Sequence, residues 1–367
     1  MKVAVITRHA VSNYGSLLQA YAMQKSLEKI GFVCQIIDYI REDERYQNQE
    51  RTLLGQKPDW NNNWIKKNLY LALRKPESFF SGRYFEKERN KYLSLTQRYS
   101  NLSELEQNVP NADVYITGSD QVWGPVSNGS YDSAYCLSFT PENAKRISYA
   151  ASFGRTSITE DIEKYYIQNL KRYAHVSVRE DSAVLLTKKM GILADQVIDP
   201  TLLLSAQDWR EISSPSRQGQ YVLIYQLHNN PELGRYAKQL AKSKGLPLIR
   251  ISTHLHQLTR PGKFIWNPSM SEFISYIDNA SYLVTDSFHG TAFAINLNVP
   301  FIEILPNNNT GTRNQSILKL TGLEDRILKD SGDLALADKE IDFESVNEIV
   351  DRERIRSLKI LKKMIEE

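Results

Sequence analysis

A short polar segment, Asp286–Gly290, separates an apolar run typical of a buried strand from a predicted helix that begins at Thr291. A helix N-terminus carries unpaired N–H groups and a partial positive charge, which favour a phosphate or a carboxylate. His289 would stand beside that anion, and it is a candidate general acid because histidine titrates near neutrality. The pattern predicts an anion site, and a structural histidine in a plain turn is the alternative. The predicted site consists of Ser287, His289, Gly290 and Thr291.

A second polar cluster, Thr117–Trp123, also follows a predicted strand. Carboxylate and amide groups bind sugar hydroxyls, and an indole ring can cover the apolar face of a sugar. Asp120 could also accept a proton from a hydroxyl group. The alternative is an Asp-containing turn with a packed tryptophan. The predicted sugar-binding residues of this cluster are Ser119, Asp120, Gln121 and Trp123.

The loop after the first predicted strand, residues 8–15, leads into a helix. Gly15 lets the backbone approach a ligand closely, and Ser16 is a candidate helix cap. We predict that Asn13, Tyr14 and Gly15 contact the same sugar, with a plain strand-to-helix turn as the alternative.

Two arginines are candidate anion ligands because guanidinium binds carboxylate or phosphate bidentately. Arg179 follows a predicted strand, and Arg313 lies in the polar segment Asn309–Gln315, which predicts a loop. A surface salt bridge is the alternative for each arginine.

Strands and helices alternate along most of the chain, which predicts an α/β fold with parallel sheets. We expect two doubly wound, Rossmann-like domains facing a cleft, with ligands beyond the carboxyl ends of the strands. The first domain covers residues 1–200 and includes a helical, basic insertion at about 41–108. The second covers residues 201–342, and a helix at 343–367 ends the chain. Residues 200–220 predict an interdomain connection.

Composition excludes several classes of protein. The chain has 367 residues and a net charge of only +3, without the strong basic excess of a nucleic-acid-binding protein. Its two distant cysteines, Cys34 and Cys136, form neither a disulfide framework nor a metal motif. We expect no metal and no cofactor. No apolar run approaches the roughly 20 residues needed to cross a bilayer, and a cytoplasmic location is expected.

Residues 64–98 form the most basic stretch, with nine basic and three acidic residues. Ile65, Leu69 and Leu73 share one face of a predicted helix in this stretch. The helix is predicted to be a lid packed on the first domain, and a peripheral contact with an anionic membrane is the alternative.

Several motifs together resemble the polysaccharide pyruvyl transferase family in order and spacing, from the first strand to about Arg326. They are Asn13–Tyr21, Gly118–Trp123, Ser177–Glu180, Asp199–Thr201 and Asp286–Gly290. The resemblance implies two Rossmann-like domains of the glycosyltransferase-B type. It also implies transfer of pyruvate from phosphoenolpyruvate, bound in the second domain, to a sugar or a lipid-linked oligosaccharide as a cyclic ketal. Some members carry arginine two positions before the histidine, where this chain has Ser287.

Two other functions fit the predicted fold, because fold does not fix function. A glycosyltransferase that uses a nucleotide sugar needs an acidic residue for the ribose, and Glu303 is the candidate. A catalytically inactive binding or scaffold protein is the other alternative.

Overall fold

The structure is a computed structural model that describes residues 1–215, 219–306 and 311–367. The chain forms two compact units. The first comprises Met1–Pro200 and Lys359–Glu367, and the second comprises Thr201–Leu358. The change from the first unit to the second after Pro200 coincides with the predicted domain boundary. The end of the chain differs from the prediction, because Lys359–Glu367 belong to the first unit and the rest of the helix predicted at 343–367 belongs to the second.

The first unit contains a five-stranded parallel sheet in the order β3-β2-β1-β4-β5. Its inner strands are continuous apolar runs, as expected where helices cover both faces of a parallel sheet. The strands are β1 (Lys2–Ile6), β2 (Val33–Tyr39), β3 (Leu95–Tyr99), β4 (Val114–Thr117) and β5 (Lys145–Ser148), and a separate parallel pair is β6 (Ser177–Val178) and β7 (Asp195–Gln196). The helices are α1 (Tyr14–Lys29), α2 (Gln49–Gly55), α3 (Pro58–Asn61), α4 (Trp64–Tyr92), α5 (Leu102–Gln107), α6 (Glu160–Leu170), α7 (Asp181–Lys189) and α8 (Pro200–Leu203), whose first residue closes the unit.

The second unit repeats this topology, with a parallel sheet in the order β10-β9-β8-β11-β12. Its strands are β8 (Val222–Tyr225), β9 (Leu248–Ser252), β10 (Lys263–Trp266), β11 (Tyr282–Thr285) and β12 (Phe301–Glu303). Its helices are α9 (Ala206–Glu211), α10 (Pro231–Lys244), α11 (Met270–Asp278), α12 (Phe288–Leu297) and α13 (Thr312–Thr321), and the last helix is α14 (Phe343–Glu366). The prediction of an α/β fold with two Rossmann-like halves is confirmed.

The predicted insertion at 41–108 is too long. Residues 95–99 form β3, which pairs with β2 at the edge of the first sheet. The helix α5 follows β3, so only the segment between β2 and β3 departs from the alternation. The sequence hides β3 because Leu95-Thr-Gln-Arg-Tyr99 is polar, as an edge strand can be.

Residues 200–220 are not a simple linker. They contain α8 and α9, and α9 begins with a capping box between Ser205 and Asp208. Trp209 is fully buried, and its indole N–H donates a hydrogen bond to the carbonyl of Thr201 at 2.9 Å. Residues 200–204 and Trp209 are therefore packed.

Strand order reverses once in each sheet, between β1 and β4 in the first unit and between β8 and β11 in the second. In open α/β sheets, ligands bind beyond the carboxyl ends of the strands at this point. Within the described residues, no helix is both long enough and apolar enough to cross a membrane.

Candidate functional site

The turn after β11 caps the helix α12. Ser287 is the N-cap residue, and its hydroxyl accepts a hydrogen bond from the N–H of Gly290 at 3.3 Å. His289 lies in the first turn, packs edge-on against Phe288 and is only 5% exposed. The structure therefore places the predicted histidine at the helix N-terminus, with most of its ring inside the protein.

Gly290 is required by packing against the sheet. A Cβ atom at this position would lie 2.5 Å from the hydroxyl oxygen of Thr285 and 3.2 Å from a ring carbon of Tyr225. Thr285 cannot turn away freely, since its hydroxyl donates a 2.7 Å hydrogen bond to the carbonyl of Tyr225. A side chain at Gly290 would thus point to the strands, and the backbone N–H of Gly290 already donates to Ser287.

Asp286 joins the ends of the two strands at the reversal. Its carboxylate accepts hydrogen bonds from the N–H groups of Leu227 and His228, at 2.7 and 2.9 Å. The imidazole Nδ1 of His228 lies 3.3 Å from the same carboxylate. Asp286 is 1% exposed, so it organises the loop after β8 and leaves little surface for a ligand.

Glu303 is fully buried behind α12. It accepts a 2.7 Å hydrogen bond from the side-chain amide of Asn314 and also contacts the hydroxyl of Thr291. Burial raises the pKa of Glu303 to about 8, although the hydrogen bonds from Thr291 and Asn314 oppose the shift. Glu303 has no exposed surface, and its carboxyl oxygens already contact Asn314 and Thr291, so the role predicted for Glu303 in nucleotide-sugar binding is not supported.

The Thr291 hydroxyl is occupied as well. It lies 3.1 Å from the carbonyl oxygen of Ser287, an acceptor, and it also contacts Glu303. The Thr291 hydroxyl donates to the carboxyl group of Glu303, and its single proton is shared between that oxygen and the Ser287 carbonyl. Thr291 therefore ties the helix start to β12, and a donor contact through its hydroxyl would need this network to rearrange.

In the first unit, Asp120 lies directly beyond β4 in a left-handed conformation, with φ of 73°. Non-glycine residues rarely adopt this conformation, and aspartate tolerates it better than most. Its half-buried carboxylate accepts hydrogen bonds from the hydroxyl of Ser16, at 3.0 Å, and from the N–H of Gln121, at 2.9 Å. The structure thus fixes this carboxylate at the reversal point of the first sheet, as the sequence suggested.

Arg179 belongs to a buried ion-pair network in the same unit. It donates hydrogen bonds to Asp199 at 2.6 Å and to the hydroxyl of Ser119 at 3.2 Å. It also forms a 3.4 Å ion pair with Glu180. Burial disfavours its charge, but Asp199 and Glu180 raise the pKa of Arg179. The contacts of Arg179 therefore lie within a buried network of the first unit that contains two carboxylates.

Two aromatic residues predicted to contact the sugar are core residues. Trp123 is fully buried, packs against Phe153 with a ring-centroid distance of 5.1 Å and donates its indole N–H to the carbonyl of Tyr135 at 3.3 Å. Tyr14 is 1% exposed and packs on Phe85 of α4. Neither ring presents a face to a ligand, which corrects both predictions in favour of packing.

The other predicted acceptor residues have mixed positions. Asn13 is the N-cap of α1 and accepts a 2.8 Å hydrogen bond from the N–H of Gly15, so both residues serve the helix start. Ser119 is fully buried, whereas Gln121 is half-buried beside Gly154. Asn13, Asp120 and Gln121 are half-buried, so each of these predicted polar groups has surface left for a sugar.

Arg313 lies in the first turn of α13 and is half-buried, so the predicted loop around it is partly helix. Asn309, at the start of that predicted loop, lies outside the described residues.

Two further arginines of the second unit were missed by the sequence analysis. Arg250 and Arg260 meet at the side-chain oxygen of Gln226, with nitrogen–oxygen distances of 2.9 and 3.4 Å. Arg250 interrupts the apolar strand Leu248-Ile-Arg-Ile-Ser252, and a charged residue inside a buried strand is the signal that could have identified it.

Solved structures similar to this chain share its architecture. The UDP-GlcNAc 2-epimerase of Neisseria meningitidis, bound to UDP-GlcNAc, has a TM-score of 0.53, with 10% identity over 99% of each chain. The UDP-GlcNAc 2-epimerase of Methanocaldococcus jannaschii has a TM-score of 0.52, with 15% identity over 96% of this chain and 92% of that one. Arabidopsis thaliana UGT89C1, complexed with UDP-L-rhamnose, has a TM-score of 0.52, with 9% identity over 99% of each chain. The likeness shows an α/β fold of the glycosyltransferase-B type.

Residues 13–309 match the model of the polysaccharide pyruvyl transferase family. The match covers most of the chain, and the protein belongs to this family of transferases, which confirms the resemblance seen in the sequence. No curated protein matches the chain significantly.

Proposed function

We propose that this protein transfers pyruvate from phosphoenolpyruvate to a sugar of a surface polysaccharide or its precursor, forming a cyclic ketal and releasing phosphate. Membership of the polysaccharide pyruvyl transferase family is the observation that carries the proposal. The position of His289 in the first turn of α12, at the strand reversal of the second sheet, supports donor binding in that unit.

In the proposed reaction, the helix start at Ser287–Gly290 binds one anionic group of the donor. His289 contacts the donor through its exposed edge and delivers a proton to the methylene carbon, C3. The C2–C3 double bond of this enol phosphate supplies the electron pair for the new C–H bond, which leaves C2 electrophilic. His289 thus acts as the general acid of the transfer.

A sugar hydroxyl then attacks C2, and Asp120 accepts the hydroxyl proton. The bond between C2 and the phosphate oxygen breaks, and phosphate leaves with that electron pair. A neighbouring hydroxyl of the sugar then attacks the same carbon, closes the ketal and loses its proton. Of the two hydroxyl protons released, one replaces the proton that His289 gave to C3, and the other is taken up by the released phosphate. The left-handed backbone of Asp120 and its hydrogen bond from Ser16 hold the carboxylate in a single orientation for this role.

Mass spectrometry after incubation with phosphoenolpyruvate and galactose- or mannosamine-containing acceptors tests the proposal. A product with the mass of an added pyruvate ketal is expected, together with released phosphate. His289→Ala should lower phosphate release strongly, whereas His175→Ala, a half-buried histidine of the first unit, should not. Near-normal phosphate release by His289→Ala would remove the acid role.

Asp120→Asn tests the base separately. Asparagine also tolerates the left-handed backbone, so the fold should be retained. We expect the transfer rate to fall by about 10²–10⁴-fold, the usual contribution of general base catalysis. An unchanged rate at saturating acceptor would assign proton removal to another group.

A nucleotide-sugar glycosyltransferase is the competing function, because solved structures of this fold carry UDP-sugars. The buried, hydrogen-bonded state of Glu303 argues against it. Thermal-shift titrations with phosphoenolpyruvate and with UDP-sugars separate the two functions, and a shift with UDP-sugars alone would reject pyruvyl transfer.

The exposed face of α4 supports a peripheral contact with an anionic membrane, where lipid-linked acceptors reside. Ile65, Leu69 and Leu73 lie four residues apart on this face and are 69%, 53% and 67% exposed. The C-terminal half of α4 packs on the first unit through Phe85, as expected for a lid, whereas the N-terminal half leaves its apolar face exposed.

The charges of α4 fit an anionic surface. The same face continues into Arg83 and Lys87, both exposed, while the acidic residues are buried or half-buried. The acidic residues are Glu77, Glu86 and Glu88. An apolar stripe that ends in cations suits insertion at a headgroup layer.

Flotation with vesicles of phosphatidylglycerol and phosphatidylcholine tests this contact. Leu69→Glu together with Leu73→Glu should abolish binding, while Leu185→Glu, which changes an exposed leucine of α7, should not. Absence of flotation at low salt, or a dimer in light scattering that the double variant disrupts, would discard the membrane contact.

A further inference from the structure

Arg250 and Arg260 converge although their charges repel. Both donate a hydrogen bond to the side-chain oxygen of Gln226. The Gln226 side chain is held in place by uncharged backbone groups. The amide of Gln226 donates to the carbonyls of His228 and Asn230, at 2.8 and 2.7 Å, and fixes the loop between β8 and α10. The two guanidinium groups therefore meet at the carboxyl end of the second sheet.

Arg250 is fully buried and has only neutral acceptors. Besides Gln226, they are the side-chain oxygen of Gln257 at 3.0 Å and the carbonyl of Pro261 at 3.0 Å. Arg260 binds the side-chain oxygen of Asn229 at 2.7 Å. Among the described residues, no carboxylate forms an ion pair with either arginine. A buried charge without an ion-pair partner is costly. Burial and the charge of Arg260 lower the pKa of Arg250 to about 10, and the charge of Asp286 opposes this shift only in part.

The start of α10 adds to the positive potential. One guanidinium nitrogen of Arg250, Nη2, is buried and has no hydrogen-bond partner. It lies 3.0 Å from the position that a Cβ atom would take on Gly234, in the first turn of this 14-residue helix. A cation beside a helix N-terminus is unfavourable, because the macrodipole favours an anion there. Two arginines and a helix start thus concentrate positive charge here. Asp286 acts on Arg250 electrostatically without forming an ion pair with it, and Glu232 at the start of α10 is paired with Arg235.

We propose that Arg250 and Arg260 form the binding site for an oxyanion group, phosphate or carboxylate, of the donor. Arg260 is half-buried and contacts the anion directly. Arg250 supplies a second charge from behind and holds the Gln226 and Gln257 amides in place. The assignment of phosphoenolpyruvate as the donor rests on the proposed function. The two arginines would supply the positive charge that some family members obtain from an arginine at the position of Ser287.

The location suits a small donor with two anionic ends. Arg250 lies on β9, one strand from β8 and two from β11, whose end carries His289. Neighbouring strands are about 4.8 Å apart, so β9 and β11 are separated by about 10 Å. A donor lying across the end of β8 would present one oxyanion to the arginines and turn its reactive carbon toward α12.

Isothermal titration with phosphoenolpyruvate, UDP and inorganic phosphate tests the site without an acceptor. Arg260→Gln removes one charge at a half-buried position and should weaken phosphoenolpyruvate binding at least tenfold. Arg235→Gln is the matched control, since Arg235 lies on α10 but is exposed and paired with Glu232. It should change the affinity less than twofold.

Arg250→Lys separates anion binding from a bracing role. Lysine retains the charge but cannot reproduce the three guanidinium hydrogen bonds, so thermal unfolding reports any loss of bracing. If the folded Arg260→Gln protein binds phosphoenolpyruvate as tightly as the parent does, the anion site is overturned, and the arginines only brace the loop.

The outcomes also distinguish this inference from the proposed function. A parent protein that binds UDP but not phosphoenolpyruvate, with UDP binding lost in Arg260→Gln, keeps the oxyanion site and rejects pyruvyl transfer. A parent that binds none of the three anions overturns the site itself.

Discussion

Replacing Gly290 with alanine tests whether this glycine serves packing or only ligand approach. The added Cβ would lie 2.5 Å from the hydroxyl oxygen of Thr285. Optimal separations of heavy atoms begin at about 3.5 Å, so the helix or the strand must move by about 1 Å. The Thr285 side chain cannot simply rotate away from the new Cβ, because its hydroxyl is held by the hydrogen bond to the carbonyl of Tyr225.

The expected loss of stability follows from two opposing effects. Overpacking of a core costs about 1–3 kcal/mol. The better helix propensity of alanine recovers up to about 1 kcal/mol. Because the contact is very close, we expect an overpacking cost of about 2–3 kcal/mol, and subtracting the gain in helix propensity leaves a net loss of about 1–2 kcal/mol. The melting temperature of a unit of this size should then fall by about 2–8 °C.

Denaturant and thermal unfolding measure this loss, and Gly55→Ala is the control. A Cβ at Gly55 meets no atom within 4 Å, so that variant should be as stable as the parent or slightly more stable. Adding Thr285→Ala removes the closest atom, and Gly290→Ala should then cost less than it does alone. A Gly290→Ala protein as stable as the parent would refute the packing argument.

Three further predictions concern buried groups. Because Glu303 has a pKa of about 8 in the folded protein and an ordinary value of 4.5, the folded state holds a proton that the unfolded chain has lost between these pH values. The free energy of unfolding should therefore fall as the pH rises through this window. Urea unfolding at several pH values should show a weaker pH dependence for Glu303→Gln than for the parent. The same pH dependence in both proteins would contradict a protonated Glu303. For Asp38, burial disfavours the charge, yet hydrogen bonds from His9 and Arg98 hold the pKa at about 2, against 3.8 normally. This contribution, about 2 kcal/mol, should be present above about pH 4 and lost as the pH falls toward 2, and Asp38→Asn should remove that part of the acid-unfolding curve. Trp123→Ala should cost about 3–5 kcal/mol of stability, because the ring fills the core of the first unit; a small loss of stability with a large loss of acceptor binding would restore its predicted sugar contact.

The sequence predicted the strand-and-helix alternation and the positions of the polar turns. These features depend on local patterns, namely apolar runs, helical periodicity and turn residues, which one chain displays directly. His289 and Asp120 were found in this way, since each follows a buried strand at a point where ligands bind in such folds. The family resemblance depends on the same local motifs.

Tertiary structure decided what those residues contact. The predicted ligand Arg179 forms an ion pair with Asp199, twenty positions further on, and Trp123 packs against Phe153 and other distant rings. Spacing does not reveal such partners, because folding brings together residues that are remote in the chain.

Arg250 and Arg260 are candidate ligands that the sequence analysis missed and the tertiary structure revealed. Arg250 stands out along the chain as a charged residue inside an apolar strand, but the sequence does not show that Arg260, in a later loop, lies beside it. Their meaning comes from meeting at Gln226 without an ion pair to a carboxylate, in the part of the chain that the structure describes. Charge compensation is a property of the three-dimensional neighbourhood: local pattern determined the elements and the turns, and only the fold decided which charges are paired and which are left for a ligand.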